Sequence, residues 1–207
     1  MFLKDLIQPI DDTVEITATL QEVIDKMSFD RFHHVIIIEQ NKPIGIITEQ
    51  DIVRCFSQRV DFKSYAIEFA RKDLIVLHHT RLVEYALSMM LNNNIRKMIV
   101  VDNEENYLGC MEQEDLIYCL EEKIEGRSLK LQQLTHPGNK AVLINENSTI
   151  KYALDIMTAN KLSSLLITSN DKAIGIISES DIIRLAQQNT DQNEMVKNFM
   201  HSHIIQI

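Results

Sequence analysis

Read for its apolar and polar positions, the chain shows one pattern three times. Leu20, Val23, Ile24 and Met27 recur at i, i+3, i+4 and i+7, the spacing that puts four side chains on one helix face. Val83, Ala86, Leu87 and Met90 repeat it, and so do Ile150, Ala153, Leu154 and Met157. Five residues past each methionine stands another apolar residue: Phe32, Ile95 or Leu162. Five further on the pattern becomes that of a strand, at Ile37, Val100 and Ile167. Each block then runs through a β-branched stretch, a polar turn, a second apolar stretch containing a glycine, and an acidic helix start. The copies are VIIIEQNKPIGIITEQDIVR, MIVVDNEENYLGCMEQEDLIY and LLITSNDKAIGIISESDIIR. Their glycines, Gly45, Gly109 and Gly175, lie 64 and then 66 residues apart. Agreement at so many matched offsets identifies three copies of a β-α-β-β-α unit.

The repeat sets the expected boundaries at 1–62, 63–127 and 128–190, in a mixed α/β (α+β) fold. Residues 191–207 open a fourth unit, because Met195 to Met200 and Ile204 to Ile207 match the lead-in of the others, as in Leu3 to Ile16. The chain stops where the next helix belongs, so the expectation is a piece of a longer protein. An apolar strand left bare would otherwise be a pairing liability.

Composition narrows the function. The 207 residues carry 21 Lys+Arg against 30 Asp+Glu, a formal charge of -9, which argues against binding double-stranded nucleic acid. There are only 5 glycines, and no two are spaced for a dinucleotide loop or a P-loop. No apolar run approaches the ~18 residues of a membrane span, and Met1 to Asp5 lack a cationic region followed by an apolar stretch, so no export signal is visible. Cys55, Cys110 and Cys119 are odd in number and form no Cys-x-x-Cys, as expected of reduced thiols in a cytoplasm. The chain shows no nucleophile–base pair and no metal cluster, so no catalytic or metal-binding residue is nominated and an enzyme is not expected. His201 and His203 are two ligands where zinc needs more. His78 and His79 fall in a turn before a helix, and the methionines occupy core positions.

The glycine turns carry the candidate chemistry. The first reads Gly45-Ile-Ile-Thr48-Glu-Gln-Asp51 and the third Gly175-Ile-Ile-Ser178-Glu-Ser-Asp181. The glycine permits close approach to the backbone. The hydroxyl residue sits at a helix N-cap and the aspartate at N3, which makes a capping box. The same terminus suits a phosphate, and the carboxylate of Asp51 or Asp181 suits a ribose diol. The second copy departs from this, with Glu112 in place of the hydroxyl, ahead of Glu114 and Asp115. Two like charges ~4 Å apart cost about 4 kcal/mol at an effective dielectric of 20. That cleft is therefore expected to be empty or to take a ligand without phosphate. Its three acids read as a solvated first turn rather than a magnesium site. Arg54 and Arg184 follow each aspartate by three residues, placed either for a phosphate or for a neighbouring acid.

Over essentially its whole length the chain resembles the CBS domains, regulatory modules named after cystathionine β-synthase. That resemblance implies that two modules pair through their sheets into a pseudo-twofold unit, with adenosine-type ligands in the clefts. Modules 1 and 2 would pair, and module 3 would await its fourth partner. Gly45, Thr48 and Asp51 would touch ligand, as would Ser178 and Asp181. Arg96 and Lys97 are similar to a basic pair that reaches ligand phosphates in the γ subunit of AMP-activated protein kinase; otherwise they only solvate a turn. His33 and His34 hold the matching positions in module 1, and Ser163 and Ser164 in module 3. The implied function is adenine-nucleotide sensing (AMP, ADP, ATP or S-adenosylmethionine, with no required cofactor) in a larger bacterial signalling protein. A covalently linked effector would read the signal, and the chain would form a homodimer. The alternative is a ligand-free scaffold for dimerisation.

Overall fold

The computed structural model of the chain describes residues 1–7, 11–116 and 141–202. The first repeat folds as β1 (Thr13–Glu15), α1 (Leu20–Asp30), β2 (His34–Glu39), β3 (Lys42–Thr48) and α2 (Glu49–Ser57). The second gives β4 (Val76–His78), α3 (Val83–Asn92), β5 (Lys97–Val101) and β6 (Tyr107–Glu112), then opens a helix at residues 113–116. The third gives β7 (Leu143–Asn145), α4 (Ile150–Asn160), β8 (Ser164–Ser169), β9 (Lys172–Ser178) and α5 (Glu179–Gln187). Each repeat makes one three-stranded sheet, ordered as in the sequence. Its first two strands are parallel, which requires the intervening crossover helix. The registers Val14↔Ile37, Leu77↔Val100 and Ile144↔Ile167 coincide with the strand positions expected from the repeat.

Local chemistry explains the boundaries. Thr19 starts α1 with a capping box: the Glu22 N–H donates to its hydroxyl at 3.3 Å, and the Glu22 carboxylate accepts the Thr19 N–H at 2.7 Å. That backbone hydrogen bond holds the Glu22 carboxyl below its usual range. The expected apolar faces turn inward, with Leu20, Val23, Ile24 and Met27 buried on α1 and the matching quartet buried on α4. Hairpins β2–β3 and β8–β9 turn through two residues of positive φ: Gln40 and Asn41 (51° and 65°), and Asn170 and Asp171 (47° and 61°). Such turns match the twist of paired strands. The β5–β6 hairpin is longer and closes on Asp102, which accepts from the Asn106 side chain and from the Glu104 and Asn106 amides. These bonds, the Asn106 side chain first, hold the Asp102 carboxyl below its ordinary value. His78, expected in a turn, is instead the last residue of β4, paired opposite Val101.

Packing divides the chain into two compact units that cut across the repeats. One comprises Met1–Glu15, Ile36–Ile46 and Arg71–His136; the other comprises Ile16–Val35, Ile47–Ala70 and Pro137–Ile207. In the first unit Leu3, Leu77, Val83, Ala86, Met90, Met98, Val100, Met111 and Leu116 form one core. A second core joins the sheets of repeats 1 and 2. Ile36 and Ile46 meet Ile99 and Val101, flanked by Ile38, Leu74 and Tyr107. The Tyr107 N–H donates to the Asn41 carbonyl at 2.8 Å, and its hydroxyl to buried Asp12 at 2.7 Å. The expected sheet-to-sheet pairing is therefore present.

In the second unit the helices of repeat 1 pack on those of repeat 3, α1 against α5 and α2 against both α4 and α5. The seam is polar. Ser28 donates to Gln187 at 2.7 Å, Gln187 to Asp25 at 3.2 Å, and Ser57 to Asp155 at 3.0 Å. Lys151 reaches both Asp155 and the Ser57 carbonyl, and buried Gln192 donates to the Phe56 carbonyl at 2.6 Å. The third repeat, expected to wait for a partner sheet, thus already has its helices covered by α1 and α2. Cys119, His203, the boundary at 127/128 and the strand expected at 204–207 lie outside the described residues.

Candidate functional site: three copies of one helix N-terminus

Each glycine turn delivers its acid to the start of a helix, but the three acids differ in their surroundings. Asp51 is buried, 8% exposed. One of its oxygens accepts the Thr48 N–H at 3.0 Å and the Thr48 hydroxyl at 2.8 Å; the other accepts Arg54 Nη2 at 2.9 Å. Of the two roles open to Arg54, the structure shows the neighbouring acid. An ionised carboxylate offers about four lone-pair sites. Asp51 therefore spends three on partners among the described residues and keeps one.

Asp181 is more deeply buried, at 2%. It accepts the Ser178 N–H at 2.9 Å and the Ser178 hydroxyl at 2.7 Å, while its own N–H donates back to that hydroxyl at 3.4 Å. Its other oxygen is bound by Arg184 and lies 2.8 Å from His201 Nε2. With the proton of His201 on Nε2, all four sites are filled. Gly175 shows what its missing side chain accommodates. A Cβ there would collide with the Met200 thioether and come within 2.9 Å of the His201 carbonyl. The close approach expected at this glycine is made by the chain itself.

In the second copy Asp115 is exposed and accepts the Glu112 N–H at 3.0 Å. The Glu112 carboxylate is ion-paired with Lys97, its cross-strand neighbour in the β5–β6 register. The unfavourable charge anticipated at Glu112 is thus neutralised internally. Lys97, nominated to meet a phosphate, already has an anionic partner. Arg96 is exposed, and its carbonyl accepts the Gln113 N–H at 2.9 Å.

A model of the CBS domain matches residues 3–58, 66–122 and 136–187. The chain belongs to the CBS domain family. It is 21% identical over 200 residues to protein MJ1225 of Methanocaldococcus jannaschii, spanning 88% of this chain and 70% of that one. The first two curated relatives it matches are covered over 65% and 70% of their length. The crystal structure of MJ1225, described as a proposed archaeal homologue of γ-AMPK, aligns with a TM-score of 0.83 at 19% identity, over 99% of this chain and 84% of that one. The Pyrobaculum aerophilum CBS protein PAE2072, complexed with AMP, aligns with a TM-score of 0.52 at 24% identity, over 56% and 89%. The CBS pair of protein MJ0100, complexed with 5-methylthioadenosine and S-adenosylmethionine, aligns with a TM-score of 0.53 at 23% identity, over 59% and 98%. At these identities the solved structures share the fold with this chain.

Around the first CBS motif, His33 Nδ1 lies 3.1 Å from the Glu49 carboxylate, whose other oxygen accepts the Ser180 hydroxyl at 2.7 Å. The first turns of α2 and α5 are thereby tied together. His34 is buried at the start of β2, and Gly45 is buried within β3. Burial lifts the Cys55 thiol to about 11 and the Cys110 thiol to about 12, so both are protonated at neutral pH. Tyr107, buried and bonded to Asp12, is also pushed up. No group of three or more His, Cys, Asp and Glu side chains fit for a metal occurs among the described residues. None of the described helices is long and apolar enough to cross a membrane. Sequence reasoning missed these roles of Met200, His201 and Ser180, whose contacts join residues 17 or more positions apart. The one available signal was the repeat offset, which sets Met200 and His201 against Ala70 and Arg71.

Proposed function

We propose that the pair of CBS modules 1 and 2 is a regulatory sensor for an adenosine-type ligand, held through the first motif. Asp51 carries the reading. It is a buried carboxylate at a helix N-terminus with one acceptor site left, which suits a ribose hydroxyl. The adjacent first turn of α2 suits a phosphate or a comparable polar group. AMP in PAE2072 and S-adenosylmethionine in MJ0100 support the ligand class. Thr48 and Gly45 belong to the same turn. Arg96 keeps its nomination for the phosphate, as do His33 and His34, while Lys97 would first have to leave Glu112. Binding shifts the population of module arrangements, and an effector reads that shift. Homodimerisation and a linked effector complete the proposal, in a protein that regulates rather than catalyses.

The test is calorimetric titration of the chain with AMP, ADP, ATP and S-adenosylmethionine, repeated with Asp51→Ala. Losing a hydrogen bond to a charged group costs about 1.5–3 kcal/mol, roughly ten- to a hundredfold in affinity. The second reading, a ligand-free scaffold, is favoured by the fully satisfied box at Asp181. It predicts no saturable binding of any of the four compounds.

A further inference from the structure

The first and third modules carry the same turn, and the segment that follows each helix crosses the sheet in the same register. Ile46 bridges Arg71, and Ile176 bridges His201, with paired backbone hydrogen bonds of 3.0 Å and 2.9 Å. The side chains presented there differ. At the third module they are Met200 and His201; at the matched positions of the first they are Ala70 and Arg71. The Met200 thioether lies against Gly175, in the space that a Cβ would need. His201 takes the last acceptor site of Asp181 and also lies 3.1 Å from Arg184 Nη2.

We infer that residues Val196–His201 form an internal strap that closes the third CBS site, with Met200 filling the glycine turn and His201 standing in for a ligand hydroxyl on Asp181. This rests on the adenosine-ligand reading above. An incoming ribose would have to displace His201 from a carboxylate that is 2% exposed, and to expel Met200 from its seat. Ala70 has no side chain long enough to make the corresponding contact at the first module. The chain therefore binds one adenosine-type ligand, at module 1, and holds a second site shut. A side-chain strap can be lifted without breaking the fold, because the Ile176–His201 bridge is made by backbone atoms.

The test is titration of the full chain and of Met200→Ala/His201→Ala with AMP and with S-adenosylmethionine, with thermal unfolding as a check that the variant is folded. His201→Ala alone serves if the double variant unfolds. The expected result is a rise from one to two ligands per chain, with the added site abolished by Asp181→Ala. An unchanged stoichiometry overturns the strap. If it is one in both proteins, the adenosine-ligand reading survives; if it is zero in both, that reading fails as well. Two ligands on the parent chain would also overturn it.

Discussion

Module 1 meets two neighbours through two different surfaces. Its sheet joins module 2 through Ile36, Ile46, Ile99 and Val101, an apolar seam with polar bonds at its margin. Its helices join module 3 through a seam crossed by side-chain bonds of Ser28, Asp25, Ser57, Gln187, Lys151, Asp155 and Gln192, on helices that also bury apolar residues such as Val53, Phe56 and Ile183. The difference bears on function. Burial of apolar area is non-directional and favours one close-packed arrangement. Hydrogen bonds exchange protein partners for water at little net gain, each contributing only about 0.5–1.5 kcal/mol. The sheet seam is centred on apolar packing, and the helix seam adds directional bonds that fix which residues meet.

The largest expected effect lies in the apolar seam. Ile99→Ala, which removes buried methyl groups, should destabilise the chain by about 2–5 kcal/mol in denaturant unfolding. A loss under 1 kcal/mol would mean that the sheets are not close-packed. Next is Gln192→Ala, which removes one of two bonds to the Phe56 carbonyl and leaves it the Arg59 N–H; it should cost about 0.5–1.5 kcal/mol in the same assay. A larger cost than that of Ile99→Ala would reverse the ranking of the two seams. Smaller still is the exposed Lys42–Glu105 pair at the edge of the sheet seam. A double-mutant cycle there should return about 0–1 kcal/mol and vanish in high salt.

The smallest change is one of reactivity. In a Cys119→Ser background, Cys55 and Cys110 should resist a thiol reagent at pH 8. Values of about 11 and 12 leave roughly one thiolate in a thousand and one in ten thousand. Because these values are raised, reactivity should climb as the pH rises towards them. Prompt labelling of Cys55 at pH 8, but not of Cys110, would show that the helix seam opens more readily.

Much of this was legible in the residues. The three quartets at helical spacing are core faces, and the strand positions ten residues past each methionine pair as expected, because local periodicity follows burial directly. The capping boxes at Thr48 and Ser178 were legible for the same reason, since cap and acid lie three residues apart. The chain's use of its own groups at these sites was not. Lys97 meets Glu112 only when β5 and β6 fold back on each other, and His201 reaches Asp181 only once the strap crosses the sheet. The packing of α1 and α2 on α4 and α5 joins residues more than 90 positions apart, beyond the reach of local periodicity. Glu112 stands out in the sequence as a departure from the other two copies, but the sequence did not show that Lys97 answers it.

The central claim is that the first CBS motif holds an adenosine-type ligand through Asp51. Calorimetric titration of the chain and of Asp51→Ala with AMP and S-adenosylmethionine tests it most directly. Saturable binding by the parent chain, weakened roughly ten- to a hundredfold by the substitution, is the predicted result. Binding that Asp51→Ala leaves unchanged, or no binding at all, would contradict it.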